Sequence, residues 1–155
     1  DLYNKWSSYT PEKDGVMIAY ASIYGNTKKA AELLYDKLKA KNVDVIITDL
    51  ARCDMSKAIS DAFAYGKLVL ATPTYNADVF PFMRTFIEGL TERNYQKRTV
   101  AFIENGAWAP MAAKVMAGMF EKSKELNILD KTVKITCALN DASVAQIGEL
   151  AEELA

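Results

Sequence analysis

The sequence predicts a doubly wound α/β domain in which helices cover both faces of a five-stranded parallel sheet, giving a three-layer sandwich. From Val16 onward, short runs of β-branched and aliphatic residues alternate with longer amphipathic stretches, which is the pattern of successive β-α-β units. The length of 155 residues suits one such domain. Half of the residues are hydrophobic and a quarter are charged, as in soluble α/β domains. We therefore assign residues 15–155 to a single domain.

The strands are predicted where the short apolar runs occur, at residues 16–20, 44–48, 67–71, 99–103 and 132–138. The helices are predicted in the intervening stretches, at residues 27–39, 56–64, 81–90, 111–126 and 141–154. In the first helix, Ala30, Leu33, Leu34 and Leu38 recur at helical spacing and form the side that faces the sheet. Ligands of doubly wound sheets bind outside the carboxyl ends of the strands. We therefore expect function in the loops after the first, third and fourth strands.

Residues 1–14 differ from the rest of the chain because Tyr3, Trp6 and Tyr9 alternate with polar residues ahead of Pro11. We interpret this segment as a tether or interdomain linker. The alternative is an arm that packs its aromatic side chains on its own domain. The sequence has neither an apolar run long enough to cross a membrane nor a recognisable secretory signal, so we expect a cytoplasmic protein that makes no membrane contact.

Composition excludes several classes of function. The chain has no histidine, which removes Ser/His and Cys/His catalysis and histidine ligation of metals. Its net charge of −1 does not indicate the strongly basic surface that nucleic-acid binding needs. Cys53 and Cys137 stand far apart and form no C-x-x-C pair, so neither a metal knuckle nor a redox dithiol is indicated. We predict no catalytic residue and no metal ligand, and we expect a cofactor to supply the chemistry.

The first candidate loop lies between the first strand and the first helix and reads Ser22-Ile23-Tyr24-Gly25-Asn26-Thr27. An anion placed here would meet the unpaired N–H groups of a helix N-terminus, together with side-chain donors from Ser22, Asn26 and Thr27. Gly25 permits a close approach of the backbone. An ordinary capped turn uses the same residue types, so the loop by itself leaves both interpretations open. The sequence contains neither a G-x-G-x-x-G fingerprint nor a P-loop.

Two further loops carry residues that suit a flat, polar ligand. They are Pro73, Thr74, Tyr75 and Asn76 after the third strand, and Asn105, Gly106, Ala107 and Trp108 after the fourth. Tyr75 and Trp108 offer aromatic faces to a conjugated ring, and threonine, asparagine and backbone groups offer hydrogen bonds to its polar atoms. The alternative for Tyr75 is that it covers the sheet edge, and for Trp108 that it packs on a helix.

The segment from Ser22 to Thr27 resembles the phosphate-binding loop of the flavodoxin family, whose pattern is Ser/Thr-x-Thr/Tyr-Gly-Asn-Thr. Thr72-Pro73-Thr74 and Phe80-Pro81 resemble the family's second flavin loop, and Trp108 stands where such folds place an aromatic ring against the flavin. Together with the aromatic tether, these motifs resemble the C-terminal flavodoxin-like domain of flavodiiron proteins, or A-type flavoproteins. Those proteins reduce oxygen or nitric oxide, and they usually carry Gly-Trp where this chain has Ala107-Trp108.

The resemblance implies a flavodoxin-like fold that binds FMN through residues 22–27, 73–76 and 105–108. It implies a role in electron transport, as part of an oxidoreductase. Electrons would come from a redox partner protein, rubredoxin-like or a reductase. They would pass to an iron pair in an upstream diiron domain. Formation of a homodimer is a further possibility that the resemblance leaves open.

Two other functions share this topology. A stand-alone FMN-dependent NAD(P)H:quinone-type reductase would need a nicotinamide site, and rapid oxidation of NADH or NADPH would identify it. A receiver domain would need acidic residues after the first strand and a phosphoacceptor aspartate after the third. Ala21, Ser22, Thr72 and Pro73 occupy those positions, so we set the receiver domain aside.

Overall fold

The structure, a computed structural model, describes residues 13–21, 26–50, 52, 54–75, 78–79, 81–93, 95, 98–105, 112–120, 126–128, 133–135 and 141–154. Within these residues it contains seven strands and five helices, and it is an α/β fold with a parallel sheet, as predicted. In chain order the elements are β1 (Lys13–Tyr20), α1 (Asn26–Ala40), β2 (Val45–Asp49), α2 (Met55–Ala64), β3 (Tyr65–Tyr75), β4 (Asp78–Val79), α3 (Pro81–Glu92), β5 (Thr99–Asn105), α4 (Ala112–Met119), β6 (Asn127–Ile128), β7 (Val133–Ile135) and α5 (Asp141–Leu154).

The strands follow the order β2-β1-β3-β5-β6 across the sheet, and each neighbouring pair is parallel. The segment predicted as a fifth strand, residues 132–138, is described only over Val133–Ile135, which pairs with β5. The two-residue β6 pairs with the start of β5. The described part of the sheet therefore has four strands of five residues or more, rather than the five that we predicted.

Alternate residues of the central strands belong to two separate hydrophobic clusters. Met17 and Leu68 belong to the first, to which α2, α3 and α4 contribute. Ile18 and Val69 belong to the second, to which α1 and α5 contribute. All four side chains are fully buried, although they alternate between the clusters. Burial on both sides explains why these strands are continuous apolar runs in the sequence instead of alternating apolar and polar residues.

Strand β1 begins at Lys13, three residues before the predicted start. Lys13 pairs with Tyr65, and the register shifts before Val16 pairs with Lys67. Gly15 lies in this irregular stretch, where a Cβ atom would contact the carbonyl oxygen of Asp44 and lie 3.0 Å from the ring of Tyr65. Glycine avoids both contacts, which allows β1 to pass close to the start of β2.

Helix α4 ends at Met119, and neither Phe120 nor Leu126 is helical, which corrects our prediction of one helix through residue 126. Residues 121–125 lie outside the described residues. The N–H of Phe120 divides its hydrogen bond between the carbonyl oxygens of Met116, at 3.3 Å, and Ala117, at 3.2 Å. Such sharing tightens the last turn of a helix and marks its end. No helix in the described ranges is both long enough and apolar enough to cross a bilayer.

Two basic side chains cap the carboxyl ends of helices. Lys67 Nζ donates to the carbonyl oxygen of Leu154 at 2.6 Å, at the end of α5. Arg98 Nη2 donates to the carbonyl oxygen of Phe63 at 2.5 Å, at the end of α2. Cations are favourable at helix carboxyl ends because the last carbonyl groups lack partners within the helix. Both caps lie where β3 and β5 begin, at the edge of the sheet opposite to the loops expected to carry function.

Candidate functional site

The carboxyl ends of three adjacent strands form the candidate site. In the sheet, Tyr20 of β1 pairs with Ala71 of β3, and Ala71 pairs with Ile103 of β5. The three candidate loops follow these positions in the sequence. The described residues therefore bring the starting points of all three loops to one edge of the sheet, where doubly wound folds bind their ligands.

The first loop is held at both ends by described residues. On its strand side, the N–H of Ala21 donates to the carbonyl oxygen of Ala71 at 3.0 Å, and the N–H of Leu50 donates to that of Tyr20 at 2.9 Å. On its helix side, α1 begins at Asn26, and Thr27 is only 1% exposed. The predicted site residues Ser22, Ile23, Tyr24 and Gly25 lie outside the described residues.

The amino end of α1 carries the electrostatic character that an anion needs. The helix runs for 15 residues, and its first turn contains no acidic residue. The partial positive charge of a helix amino end is therefore not cancelled by a nearby carboxylate of that turn. Lys28 and Lys29 are exposed. The described residues can thus stabilise a negative charge in front of Thr27.

The second predicted loop is in large part a strand, which corrects our prediction that β3 ends at Ala71. Thr72 and Pro73 continue the parallel pairing with Glu104 and Asn105 of β5. Beyond them, Thr74 and Tyr75 pair antiparallel with Val79 and Asp78 of β4. Asn76 and Ala77, which connect β3 to β4, lie outside the described residues. Hydrogen bonds to two neighbouring strands extend β3 where the sequence suggested a turn.

Pro73 is tolerated in this strand because of its position relative to β1. The carbonyl oxygen of Ala71 accepts a hydrogen bond from Ala21, so Ala71 bonds toward β1. Backbone hydrogen bonds alternate in direction from residue to residue along a strand, so the backbone of Pro73 points to the same side as that of Ala71. Strand β1 has already ended at Tyr20, so Pro73 lies beyond its last residue. A proline there interrupts no hydrogen bond between the two strands.

The third loop begins where β5 ends, at Asn105, which pairs with Pro73. This register brings the second and third predicted site segments side by side. Thr72, on the same end of β3, is fully buried. The predicted site residues Gly106, Ala107 and Trp108 lie outside the described residues.

Sequence reasoning missed the pairing of a buried tyrosine with an aspartate next to the first loop. Tyr20 ends β1, is 7% exposed, and pairs in register with Asp49, the last residue of β2. Burial, and then the negative charge of Asp49, raise the pKa of the Tyr20 phenol, so the hydroxyl keeps its proton at neutral pH. The pair could be found only once the register of β1 and β2 was known.

The chain was compared with known families and proteins. The flavodoxin family model matches residues 18–146. The chain is 30% identical over 156 residues to an uncharacterized protein of Methanocaldococcus jannaschii, covering 99% of this chain and 39% of that protein. It is 27% identical over 118 residues to the rubredoxin-oxygen oxidoreductase of Megalodesulfovibrio gigas, covering 73% of this chain and 29% of that protein. The chain thus spans about two fifths or less of these relatives.

Solved structures agree in fold. The flavodiiron protein from Giardia intestinalis matches with a TM-score of 0.89 at 16% identity, over 98% of this chain and 38% of that one. This match supports the predicted resemblance to the flavodoxin-like domain of a flavodiiron protein. Because the family model also covers most of the sequence, including both ends of the first candidate loop, the family is confirmed. This chain belongs to the flavodoxin family.

Proposed function

We propose that this chain binds FMN without a covalent bond and serves as an electron-transfer domain. The observation that carries the proposal is the meeting of β1, β3 and β5 at one edge of the sheet, with Thr27, the last residue of the first loop, buried. A bound flavin supplies the capacity to accept and release electrons. The family membership implies a flavin cofactor, and the residues at this edge suit FMN in particular.

The phosphate of FMN fits the first loop. A phosphate needs several hydrogen-bond donors and no competing carboxylate, and the amino end of α1 meets both requirements. We assign Ser22, Ile23, Tyr24, Gly25, Asn26 and Thr27 to this end of the cofactor. Their role is to bind the phosphate with backbone N–H groups and side-chain hydroxyl and amide groups. Riboflavin, which has no phosphate, would leave these donors unused.

The isoalloxazine ring fits the other two loops. We assign Pro73, Thr74, Tyr75 and Asn76 to the polar atoms and one face of the ring, and Asn105, Gly106, Ala107 and Trp108 to its reactive edge and other face. The role of these residues is to orient the ring, to exclude water and to tune its reduction potential by stacking and backbone hydrogen bonds. We also propose that the complete domain has five long strands in a three-layer sandwich, since a parallel sheet is stable when helices cover both faces.

The proposed place of this domain is in a larger oxidoreductase. The chain covers 29% of a protein named rubredoxin-oxygen oxidoreductase and 38% of a flavodiiron protein, so a longer parent protein is consistent with both. In that setting a rubredoxin-like or reductase partner would deliver electrons, and a diiron domain linked through the tether that precedes β1 would receive them. This chain would bind the flavin that passes electrons from the partner to the diiron domain, in the cytoplasm.

We expect the FMN-loaded chain to accept electrons from a chemical reductant and pass them to a one-electron acceptor such as cytochrome c. It should not oxidise NADH or NADPH rapidly, nor reduce oxygen or nitric oxide faster than free reduced FMN does. Reduction of oxygen or nitric oxide should be slow because the chain contains no histidine, which is a standard ligand of iron. Stopped-flow absorbance and gas electrodes on metal-analysed protein measure these rates.

The control for these rates is free FMN at the same concentration, because reduced flavins react slowly with oxygen without any protein. Rapid NAD(P)H oxidation by the chain alone would favour the stand-alone reductase instead. Stoichiometric iron together with rapid nitric oxide or oxygen turnover would contradict the proposal that this chain is only an electron relay.

A further inference from the structure

Strand β2 forms one edge of the sheet. The strand order places β1 on one side of β2, and no strand of the described ranges lies on its other side. The carbonyl oxygen of Asp44 accepts a hydrogen bond from β1 at 2.9 Å, and the N–H of Leu50 donates one to β1 at 2.9 Å. Since bonding direction alternates along a strand, Val45 and Ile47 direct their N–H and C=O groups away from β1. The outer edge of β2 therefore offers the backbone groups that a further strand needs.

This edge lacks the features by which soluble proteins commonly prevent pairing at the edge of a sheet. Such edges usually carry a lysine, a proline or a bulge. Apart from Asp49, its last residue, β2 carries neither a charge nor a proline, and its two isoleucines, Ile46 and Ile47, are half-buried. An uncharged edge strand of this kind is suited to hydrogen bonding with a strand from another molecule.

A cleft of about 280 Å³ lies beside the carboxyl end of β2, and its lining combines apolar and charged side chains. Two of its carboxylates have partners within this chain. Asp54 accepts from a backbone N–H of α2 at 3.0 Å, and Asp61 pairs with Lys57 at 3.2 Å. The Arg52 side chain is instead 86% exposed and lies 3.9 Å from Asp49, and an exposed ion pair at this distance is weak. Arg52 can therefore turn toward a carboxylate of another molecule.

We propose that a second copy of this chain pairs with the outer edge of β2, with the two β2 strands antiparallel. Ile47 is the middle residue of β2 and faces outward, so a twofold axis at Ile47 pairs the whole strand with itself. The two Ile47 residues then exchange both N–H···O=C hydrogen bonds. The same axis brings Asp44, which is exposed, to the end of the strand that carries Arg52 in the second copy. Because the axis is twofold, this pair of opposite charges occurs twice.

Side-chain direction and net charge both fit this arrangement. Side chains alternate along a strand, so Asp44 points to the same face as Ile46, which packs against the first cluster. Helix α2 lies on that face, and its residue Ala58 lines the cleft together with Arg52. Asp44 of one copy therefore approaches Arg52 at the cleft of the other. With a net charge of −1, two copies repel each other only weakly.

The pairing leaves the candidate flavin site accessible. Because the two β2 strands are antiparallel, the carboxyl ends of the two sheets point in opposite directions. The sites at β1, β3 and β5 then lie at opposite ends of the dimer. The proposed dimer therefore does not depend on FMN binding, and apoprotein is sufficient to test it.

The test is the mass of the apoprotein over a range of concentrations, measured by sedimentation velocity. We expect the mass to rise from 17.2 kDa toward twice that value with a micromolar dissociation constant, because pairing of two short strands buries little area. Ile47→Pro removes the outward N–H without interrupting a bond to β1, so this variant should stay monomeric. A wild-type chain that stays monomeric at every concentration would show that the proposal is wrong.

Reversal of charges tests the interface without changing the backbone of the strand. Arg52→Glu places like charges opposite each other and should weaken dimerisation about tenfold or more. Adding Asp44→Lys restores opposite charges, so the double variant should dimerise within about threefold of the wild-type chain. Arg93→Glu is the matched control, because it makes the same change of charge at an exposed residue just after α3, and it should have no effect.

Thermal unfolding verifies that each variant is folded, and if Ile47→Pro does not fold, the charge variants decide. Dimerisation as strong in Arg52→Glu as in the wild-type chain would mean that another surface forms the dimer, which contradicts the proposal. A double variant no tighter than Arg52→Glu would contradict the pairing of Asp44 with Arg52 and with it the antiparallel register. Weakening by Arg52→Glu, rescue by Asp44→Lys and no effect of Arg93→Glu together support the proposal, whether or not the chain binds FMN.

Discussion

Replacing Arg98 with alanine is expected to lower the free energy of unfolding by about 2 to 4 kcal/mol. Arg98 is only 4% exposed, and its guanidinium carbon lies 5.9 Å from the ring centre of Phe63 and 5.6 Å from that of Tyr95. Alanine would leave the Phe63 carbonyl oxygen at the end of α2 without its donor and would open a cavity beside the two rings, which contact each other edge to face. Chemical denaturation measures the difference.

Two variants identify the cause of this loss. Arg98→Met fills most of the volume without a charge that must be buried, so it should cost less than Arg98→Ala. Arg93→Ala is the matched control, because Arg93 also donates to a helix carbonyl, that of Gly89 at 3.0 Å, but is itself exposed. It should change stability by less than about 1 kcal/mol. Equal losses in Arg93→Ala and Arg98→Ala would show that burial of Arg98 contributes nothing.

Replacing Thr27 with valine is expected to weaken FMN binding by about tenfold or more. Valine has nearly the same shape as threonine, so at a position that is 1% exposed the packing is kept and only the hydroxyl is removed. The hydroxyl lies at the amino end of α1, where we place the phosphate. A hydrogen bond to a charged group contributes more than one between neutral groups, which accounts for the size of the expected effect. Titration of apoprotein, followed by flavin fluorescence, measures it.

Thr27→Ser keeps the hydroxyl and is the control for this position. It should bind FMN more tightly than Thr27→Val, and neither substitution should change riboflavin binding. If Thr27→Val binds FMN as tightly as the wild-type chain, Thr27 does not contact the phosphate, and the assignment of the first loop loses its best-described residue.

The order of strands and helices could be predicted from the sequence because burial on both sides makes the central strands continuous apolar runs. Helix α5 matches the prediction at both ends, Asp141 and Leu154, and α3 differs only in running to Glu92. The carboxyl end of β3 could not be predicted in this way. Thr72, Pro73, Thr74 and Tyr75 have the composition of a turn, yet pairing with β5 and β4 keeps them in a strand. Such pairing depends on distant segments, which local patterns do not record.

In the candidate site, too, some features follow from local sequence patterns and others depend on contacts between distant segments. The edge of the sheet that carries the site followed from the topology, and Thr27 followed from its place at the start of an amphipathic helix. The pairing of Tyr20 with Asp49 and the buried Arg98 did not follow, because each depends on which residues of separate elements come to lie side by side. A tyrosine at the end of a strand, or an arginine before one, is ordinary in sequence. Only the register of the sheet and the packing of the helices reveal their partners.

Titration of the apoprotein with FMN and with riboflavin is the most direct test of FMN binding at the carboxyl ends of β1, β3 and β5. We expect one FMN to bind per chain, at least about tenfold more tightly than riboflavin, because only FMN can use the donors at the start of α1. Equal affinity for the two flavins, or no binding of either, would contradict the assignment of residues 22–27 to the phosphate and with it the proposed function.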